Sequence, residues 1–144
     1  MDYIYQARFE PDPDGGFLVT FPDVPEAITH GATIEEARAS AAEALGLALR
    51  GIVQVGGSVP AARTYRGGGG SAIAVPADDA LKLAVIEAFR AAGITKTELA
   101  RRLGKAEGEA RRILDPDYPS KLEMLSAALA VLGRTVVISI REAA

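Results

Sequence analysis

Between Thr95 and Leu114 the chain carries Lys96, Arg101, Arg102, Lys105, Arg111 and Arg112 against Glu98, Glu107 and Glu109, a net charge of +3 in one short stretch. Such a patch is attracted to any nucleic-acid duplex through its phosphates, and an arginine that reaches a base edge adds discrimination of about 1–3 kcal/mol. Near the start, Asp12, Asp14, Asp23 and Glu26 stand in turn-forming sequence. Paired carboxylates there have the chemistry to hold Mg²⁺ for phosphodiester cleavage. They are also what turns are ordinarily built from, since Asp bonds its own backbone. A third reading takes them as acidic loops matched to a basic partner. His30 is the single histidine, with no serine or acid placed by sequence to complete a triad, and reads as structural. The run Gly67-Gly68-Gly69-Gly70 lacks the Lys-Ser/Thr of a phosphate loop, and Ala72 stands where a dinucleotide fingerprint would place its third glycine. The run reads as a flexible linker.

The 144 residues are 49% hydrophobic and 24% charged, a globular composition, and the mean hydropathy of +0.14 is low for a membrane protein. No apolar run approaches the roughly 18 residues of a spanning helix, and Met1-Asp2-Tyr3-Ile4-Tyr5 has no basic segment leading into an apolar one. A cytoplasmic protein without membrane contact is expected. The lack of cysteine excludes disulfides and thiolate metal sites, and one histidine excludes multi-histidine sites, so no cofactor is expected. Charge divides unevenly about the glycine run. Residues 1–65 hold four arginines against nine acids, a net −5, and residues 66–144 hold twelve basic residues against ten acids, a net +2. Three parts follow: a unit over 1–65, a linker over 66–71 and a second unit over 72–144. Units so small bury only roughly 60% of their unfolded surface, which favours completing a core by oligomerisation.

In the first unit Tyr3, Tyr5, Ala7 and Phe9 alternate with polar or exposed positions, as do Phe17, Val19 and Phe21, which predicts a hairpin closed by Pro11-Asp12-Pro13-Asp14-Gly15-Gly16. A short third strand is predicted over 27–30. Thr33-Ile34-Glu35-Glu36 is a capping box that opens a helix running to about Gly51, and 58–60 reads as a last edge strand. The order is β-β-β-α-β, an α+β arrangement with one helix on a sheet. Phe9-Glu10-Pro11, then Asp14-Gly15-Gly16-Phe17-Leu18-Val19-Thr20-Phe21-Pro22-Asp23-Val24-Pro25, then Thr33-Ile34-Glu35-Glu36-Ala37 resembles the HicB antitoxins of type II toxin-antitoxin pairs. The family usually continues Pro-Gly-Cys where this chain has Pro25-Glu26-Ala27. The resemblance implies a partial RNase H-like fold without RNase H catalysis, covering a small basic HicA-type ribonuclease toxin. Asp12, Asp14, Phe17, Phe21, Asp23 and Glu26 are then the candidate toxin contacts.

In the second unit Ala72-Ile73-Ala74-Val75 predicts a short strand, and Leu81, Ala84, Val85, Ala88, Phe89 and Ala92 recur at helical spacing up to Gly93. Further capping boxes open at Thr95-Lys96-Thr97-Glu98 and Ser120-Lys121-Leu122-Glu123. Between them two short helices meet at Gly104. Ile94-Thr95-Lys96-Thr97-Glu98-Leu99-Ala100-Arg101-Arg102-Leu103-Gly104 resembles the Cro/CI-type helix-turn-helix, which implies operator DNA as a partner. Lys96, Thr97, Lys105, Glu107, Gly108, Arg111 and Arg112 are the candidate DNA contacts, Arg111 and Arg112 foremost. Ala106 replaces the Ser usually found at the cap of the second helix. The β-rich stretch 135–140 predicts a ribbon with 73–75 across a two-fold axis, giving a homodimer or tetramer. Three functions follow from these features. One is an antitoxin that blocks an mRNA-cleaving toxin with its first unit and represses its own operon with its second, with no catalysis of its own. The others are a free-standing repressor with a sensor or oligomerisation domain at its start, and a metal nuclease.

Overall fold

The computed structural model describes residues 1–63 and 70–142. Strand β1 (Ile4–Pro11) lies between β2 (Phe17–Thr20) and β4 (Gly70–Ala74), with β3 (Ile28–Gly31) beyond β2, and all pairings are antiparallel. Tyr5, Ala7, Val19 and Ile73 are buried on one face of this sheet, while Arg8 and Glu10 at alternate positions are exposed. In the β1–β2 loop Asp12 N–H donates to Gly16 O and Asp14 N–H to Asp12 Oδ1, both at 2.9 Å. Gly15 and Gly16 complete the turn at φ +104° and +74°, which a side chain would oppose.

Helix α1 (Ile34–Gln54) covers the apolar face. Thr33 Oγ1 accepts from Glu36 N–H at 3.2 Å, as the capping box predicts, and the Glu36 carboxylate accepts from Ala32 N–H, one residue ahead of the cap. Its buried residues Ala37, Ala41, Leu45, Leu49 and Val53 recur every fourth position. The alanines at its start let β3 approach so closely that a Cβ on Gly31 would fall on the backbone of Ala37. The helix outruns its expected end at Gly51 and stops at Gln54.

The strand expected over 58–60 is not formed: Pro60 has no N–H to give a ladder, and its carbonyl instead accepts from the Tyr5 hydroxyl at 2.6 Å. The last strand of the sheet is β4. Ile73 therefore pairs with Tyr5 of β1 rather than with residues 136–140, because Ile73 and Val75 find buried places in the core under α1. Residues 136–140 form no strand. Of the expected linker, Gly70 and Ser71 belong to β4, and 66–69 lie outside the described residues.

Helix α2 (Ala77–Ala92) serves two cores. Leu83 and Ile86 join Ile73, Val75, Leu45 and Leu49, whereas Val85 and Ala88 join residues of α3 (Lys96–Leu103), α4 (Glu107–Ile113) and α5 (Leu122–Val131). Polar ties fasten α2 to the sheet side. The Tyr3 hydroxyl donates to Glu87 at 2.7 Å, Arg90 donates to Gly57 O at 2.7 Å and Val53 O at 3.2 Å, and Arg50 of α1 meets Asp79 at 3.3 Å. On the other side Lys82, 4% exposed, donates from Nζ to Arg112 O at 3.0 Å, Ile113 O at 2.9 Å and Ser120 Oγ at 2.6 Å. The capping box expected at Ser120 is therefore not made: its hydroxyl is engaged by Lys82, and α5 starts at Leu122, its N-cap Lys121 giving no side-chain bond. Among the described residues no helix is long and apolar enough to cross a membrane.

Gly31→Ala is expected to lose about 1–3 kcal/mol in urea titration, since the colliding atoms are backbone and cannot swing aside. An unchanged midpoint would show that β3 has room to retreat. Burial lowers the Lys82 ammonium to about 8 from its ordinary 10.5, against the attraction of Asp115. Between those values the unfolded chain binds the proton that the folded chain has released, so stability rises with pH, by on the order of 3 kcal/mol over the full window. Tyr3 and Tyr5 act oppositely above pH 10, because burial raises both phenols, Tyr5 to about 12. Urea midpoints that climb from about pH 8 to about pH 10, and stay flat in Lys82→Met, are the expected result.

Candidate functional site: a basic helix pair and an acidic loop

Helices α3 and α4 are short and depend on packing for their stability. Thr95 Oγ1 accepts from Glu98 N–H at 3.1 Å to open α3, and Gly104 at φ +66° lets Lys105 N–H donate to Ala100 O at 3.0 Å across the turn. Leu99 and Ala100 of α3 and Ala110 and Ile113 of α4 are buried against Leu125 and Leu129. Ala106 gives α4 no side-chain cap, as its sequence predicts. A Cβ at Gly108 would meet only Arg112 Nη1 at 3.8 Å, so lack of space is not what keeps glycine there.

With the apolar faces inward, the charged faces turn to solvent and sort into two groups. Arg101 and Arg102 both bind Glu98, at 2.6 and 3.1 Å, and these bonds hold the Glu98 carboxyl down at about 2. Glu98 offsets one of these two charges and holds both side chains along α3. The second group draws on both helices: Thr97 Oγ1 donates to Glu107 Oε2 at 3.3 Å and Arg111 Nη2 to Glu107 Oε1 at 2.7 Å. The Arg111 bond, with its charge and then Thr97 and Lys96, holds the Glu107 carboxyl below the usual carboxylate range. Lys96, Thr97, Glu107 and Arg111 are thus brought together, with the Arg111 side chain 64% exposed. Arg112 is exposed beside them, its guanidinium 6.0 Å from the centre of the Tyr118 ring. Lys105 is exposed in the turn. The outward array has room to meet an anion, and its cations are only partly neutralised by Glu107.

The acidic residues divide differently. Asp12 and Asp14 share the β1–β2 loop, where Asp12 Oδ2 lies 4.0 Å from His30 Nε2 and His30 Nε2 in turn lies 3.0 Å from Gly15 O. His30 fastens that loop to β3, the structural role its isolation suggests. Asp14 and Glu26 are exposed, and Phe17 is half-buried against the first core. Two expected contacts are placed inside. Phe21 is 2% exposed, since its position continues the buried face of β2. The Asp23 side chain is 3% exposed and accepts from Arg63 Nε at 2.6 Å and Arg63 N–H at 2.8 Å, so it pins the segment after α1. Among the described residues no three histidine or acidic side chains gather as metal ligands would. The residues that the sequence did not single out are Lys82, Arg50 and Asp117, the last two 3.6 Å apart across the two cores. A lone lysine in Leu81-Lys82-Leu83 was the available signal for the first of them.

Residues 4–84 match the profile of the HicB-like antitoxins of bacterial toxin-antitoxin systems. The chain is 33% identical to Antitoxin HicB of Escherichia coli (strain K12) over 130 residues, which are 90% of this chain and 94% of that protein. Antitoxin HicB 1 of Photorhabdus laumondii subsp. laumondii is 32% identical over 136 residues, 94% of this chain and 86% of its own length. Antitoxin HicB of Pseudomonas fluorescens (strain Pf0-1) is 30% identical over 142 residues, 99% of this chain and 95% of that one, an alignment that takes in both cores. Matched over more than half its length by the family profile and almost end to end by these relatives, the chain belongs to the HicB-like antitoxins of bacterial toxin-antitoxin systems.

Proposed function

We propose that the sheet-bearing unit sequesters and inhibits a small basic HicA-type mRNA-cleaving toxin, and that α3 and α4 act as a helix-turn-helix that binds operator DNA and represses the operon the two proteins share. The observation that carries this reading is that one chain joins an exposed acidic loop and an exposed basic helix pair, and that the relatives matched across both are named antitoxins. Asp12, Asp14 and Glu26 beside the half-buried Phe17 offer a basic partner a charged rim next to apolar surface. The chain needs no catalytic group for this: covering a nuclease surface is a matter of shape and charge. On the other unit α4 supplies Arg111 and Arg112 to the major groove, while Lys96, Thr97 and Lys105 contact phosphates. Gly108 leaves the face between them open.

Residues 136–140 complete the assembly. Val137, Ile138 and Ile140 are 87%, 70% and 90% exposed, an apolar stretch that the described residues leave open to solvent. Two copies that pair along this segment bury it and set their α4 helices about 34 Å apart, one turn of DNA. A dimer, or a tetramer of two such dimers, is the DNA-binding form.

Co-expression with the short reading frame beside its gene, and purification on a tag carried by this chain, tests the first half of the proposal. Recovery of a small basic protein whose growth arrest this chain relieves is expected, and Asp12→Lys with Asp14→Lys should weaken that complex tenfold, about 1.4 kcal/mol, or more. Recovery of the chain alone beside a harmless neighbour would overturn it in favour of a free-standing repressor. Arg111→Ala or Arg112→Ala should cost about 1–3 kcal/mol on the DNA upstream of its own gene, with less loss on unrelated DNA. For the assembly, Ile138→Lys should sediment as a monomer where the unaltered chain is dimeric. A monomeric unaltered chain that still binds operator DNA would refute the paired arrangement.

A further inference from the structure

The Lys82 ammonium is out of water and has all three of its N–H donors matched: Arg112 O, Ile113 O and Ser120 Oγ, at 3.0, 2.9 and 2.6 Å. Arg112 and Ile113 end α4, where the last carbonyls of a helix have no partner within it and the helix dipole presents partial negative charge. Asp115 N–H reaches Arg112 O at 3.3 Å, and the Lys82 cation, arriving from another helix, adds bonds to Arg112 O and Ile113 O that tie this end of α4 to α2. The carbonyl it holds on Arg112 belongs to the residue whose side chain points outward toward Tyr118, and Arg111 is the residue before it. The lysine is itself held, since the next residue, Leu83, lies in the first core. Replacing a buried charge by an apolar residue of like volume is often neutral for stability, so stability alone does not account for the ammonium; a unique orientation of α4 does.

We propose that Lys82 is a positioning residue for DNA reading: it touches no nucleic acid and sets the aim of Arg111 and Arg112 by clasping the C-terminal end of α4. This rests on α4 being the reading helix. The test compares the full-length protein with Lys82→Met and Ser120→Ala on two duplexes of equal length, the DNA upstream of its own gene and a scrambled sequence, together with amide exchange across residues 107–113. In Lys82→Met the preference for the upstream DNA is expected to fall about tenfold or more, while affinity for scrambled DNA stays within about threefold and the salt dependence keeps its slope, because no phosphate contact is lost. Exchange in α4 should quicken while β1, β2 and α1 keep their protection. Ser120→Ala, which leaves two of the three acceptors, should show a smaller loss in the same direction, and it carries the test if Lys82→Met does not fold. A folded Lys82→Met with unchanged preference and unchanged α4 exchange overturns the proposal. A reduced salt slope overturns it too, in favour of direct phosphate contact. Quickened α4 exchange in a protein whose unaltered form has no preference between the duplexes would instead overturn the DNA reading, and with it the purpose assigned to the clasp.

Discussion

Helix α2 has to fill two hydrophobic cores from opposite sides, and the rest of the molecule is arranged around that requirement. Leu83 and Ile86 face the sheet and α1, Val85 and Ala88 face α3 to α5, and α1 approaches the helix closely where its residues are small. Gly46 of α1 is one such residue, since a Cβ there would collide with the Asp79 carboxylate. The approach this allows places Asp79 within reach of Arg50, and Arg50 in turn within reach of Asp117 in the segment before α5. A glycine in α1 thus permits an ion pair that spans three parts of the fold. The contact is partly buried, where charges are screened less than on the surface.

Several charges in this chain are engaged internally, which limits what they offer to partners. Asp23 is spent on Arg63, Glu98 on Arg101 and Arg102, and Lys82 on the end of α4. Of the candidate contacts, those left outward are Asp14 and Glu26 with the Asp12 loop on one unit, and Lys96, Lys105, Arg111 and Arg112 on the other. Of these two sets the acidic one, with three residues, is smaller than the net −5 of residues 1–65 suggests. Both sets are also well defined: Glu107 holds Arg111 extended, and the Asx turn of Asp12 with its His30 neighbour fixes the loop that carries Asp14. Preorganised charges lose less conformational freedom on binding, which favours recognition over general attraction.

The local parts of this fold were readable from sequence, and the parts set by distant contacts were not. The threonine caps at Thr33 and Thr95 act over three residues and stand where their patterns put them, as do the hairpin loop and the turn at Gly104, although the Glu36 carboxylate bonds Ala32 N–H and that of Glu98 bonds Arg101 and Arg102. Ser120 has the same pattern and fails, because its hydroxyl is claimed by a lysine 38 residues earlier. Asp23 fails as a surface contact for a like reason, its partner Arg63 lying 40 residues on. The apolar stripe of α2 was read as one face; its second face, at Lys82, Leu83 and Ile86, has meaning only once β4 is known to lie under it. At the candidate site the basic array on α3 and α4 was apparent from composition and spacing, whereas the clasp behind it was not.

The glycine run looks like a boundary, yet the chain crosses it and then returns to the sheet it came from. Tyr5 of β1 is paired with Ile73 of the edge strand β4, so a unit ended at residue 65 would lack β4, Val75, Leu83 and Ile86 and expose the edge of β1 together with part of the first core. The family match reaches residue 84, halfway along α2 and just past Leu83, and Ile86 of the same core follows one turn of helix after Leu83. The folding unit that presents the acidic loop therefore includes the helix on which the basic helices are mounted. Lys82 ties α2 to the end of α4, and Arg50 of α1 meets both Asp79 of α2 and Asp117 before α5, so the two cores are joined by polar contacts as well as by the shared helix.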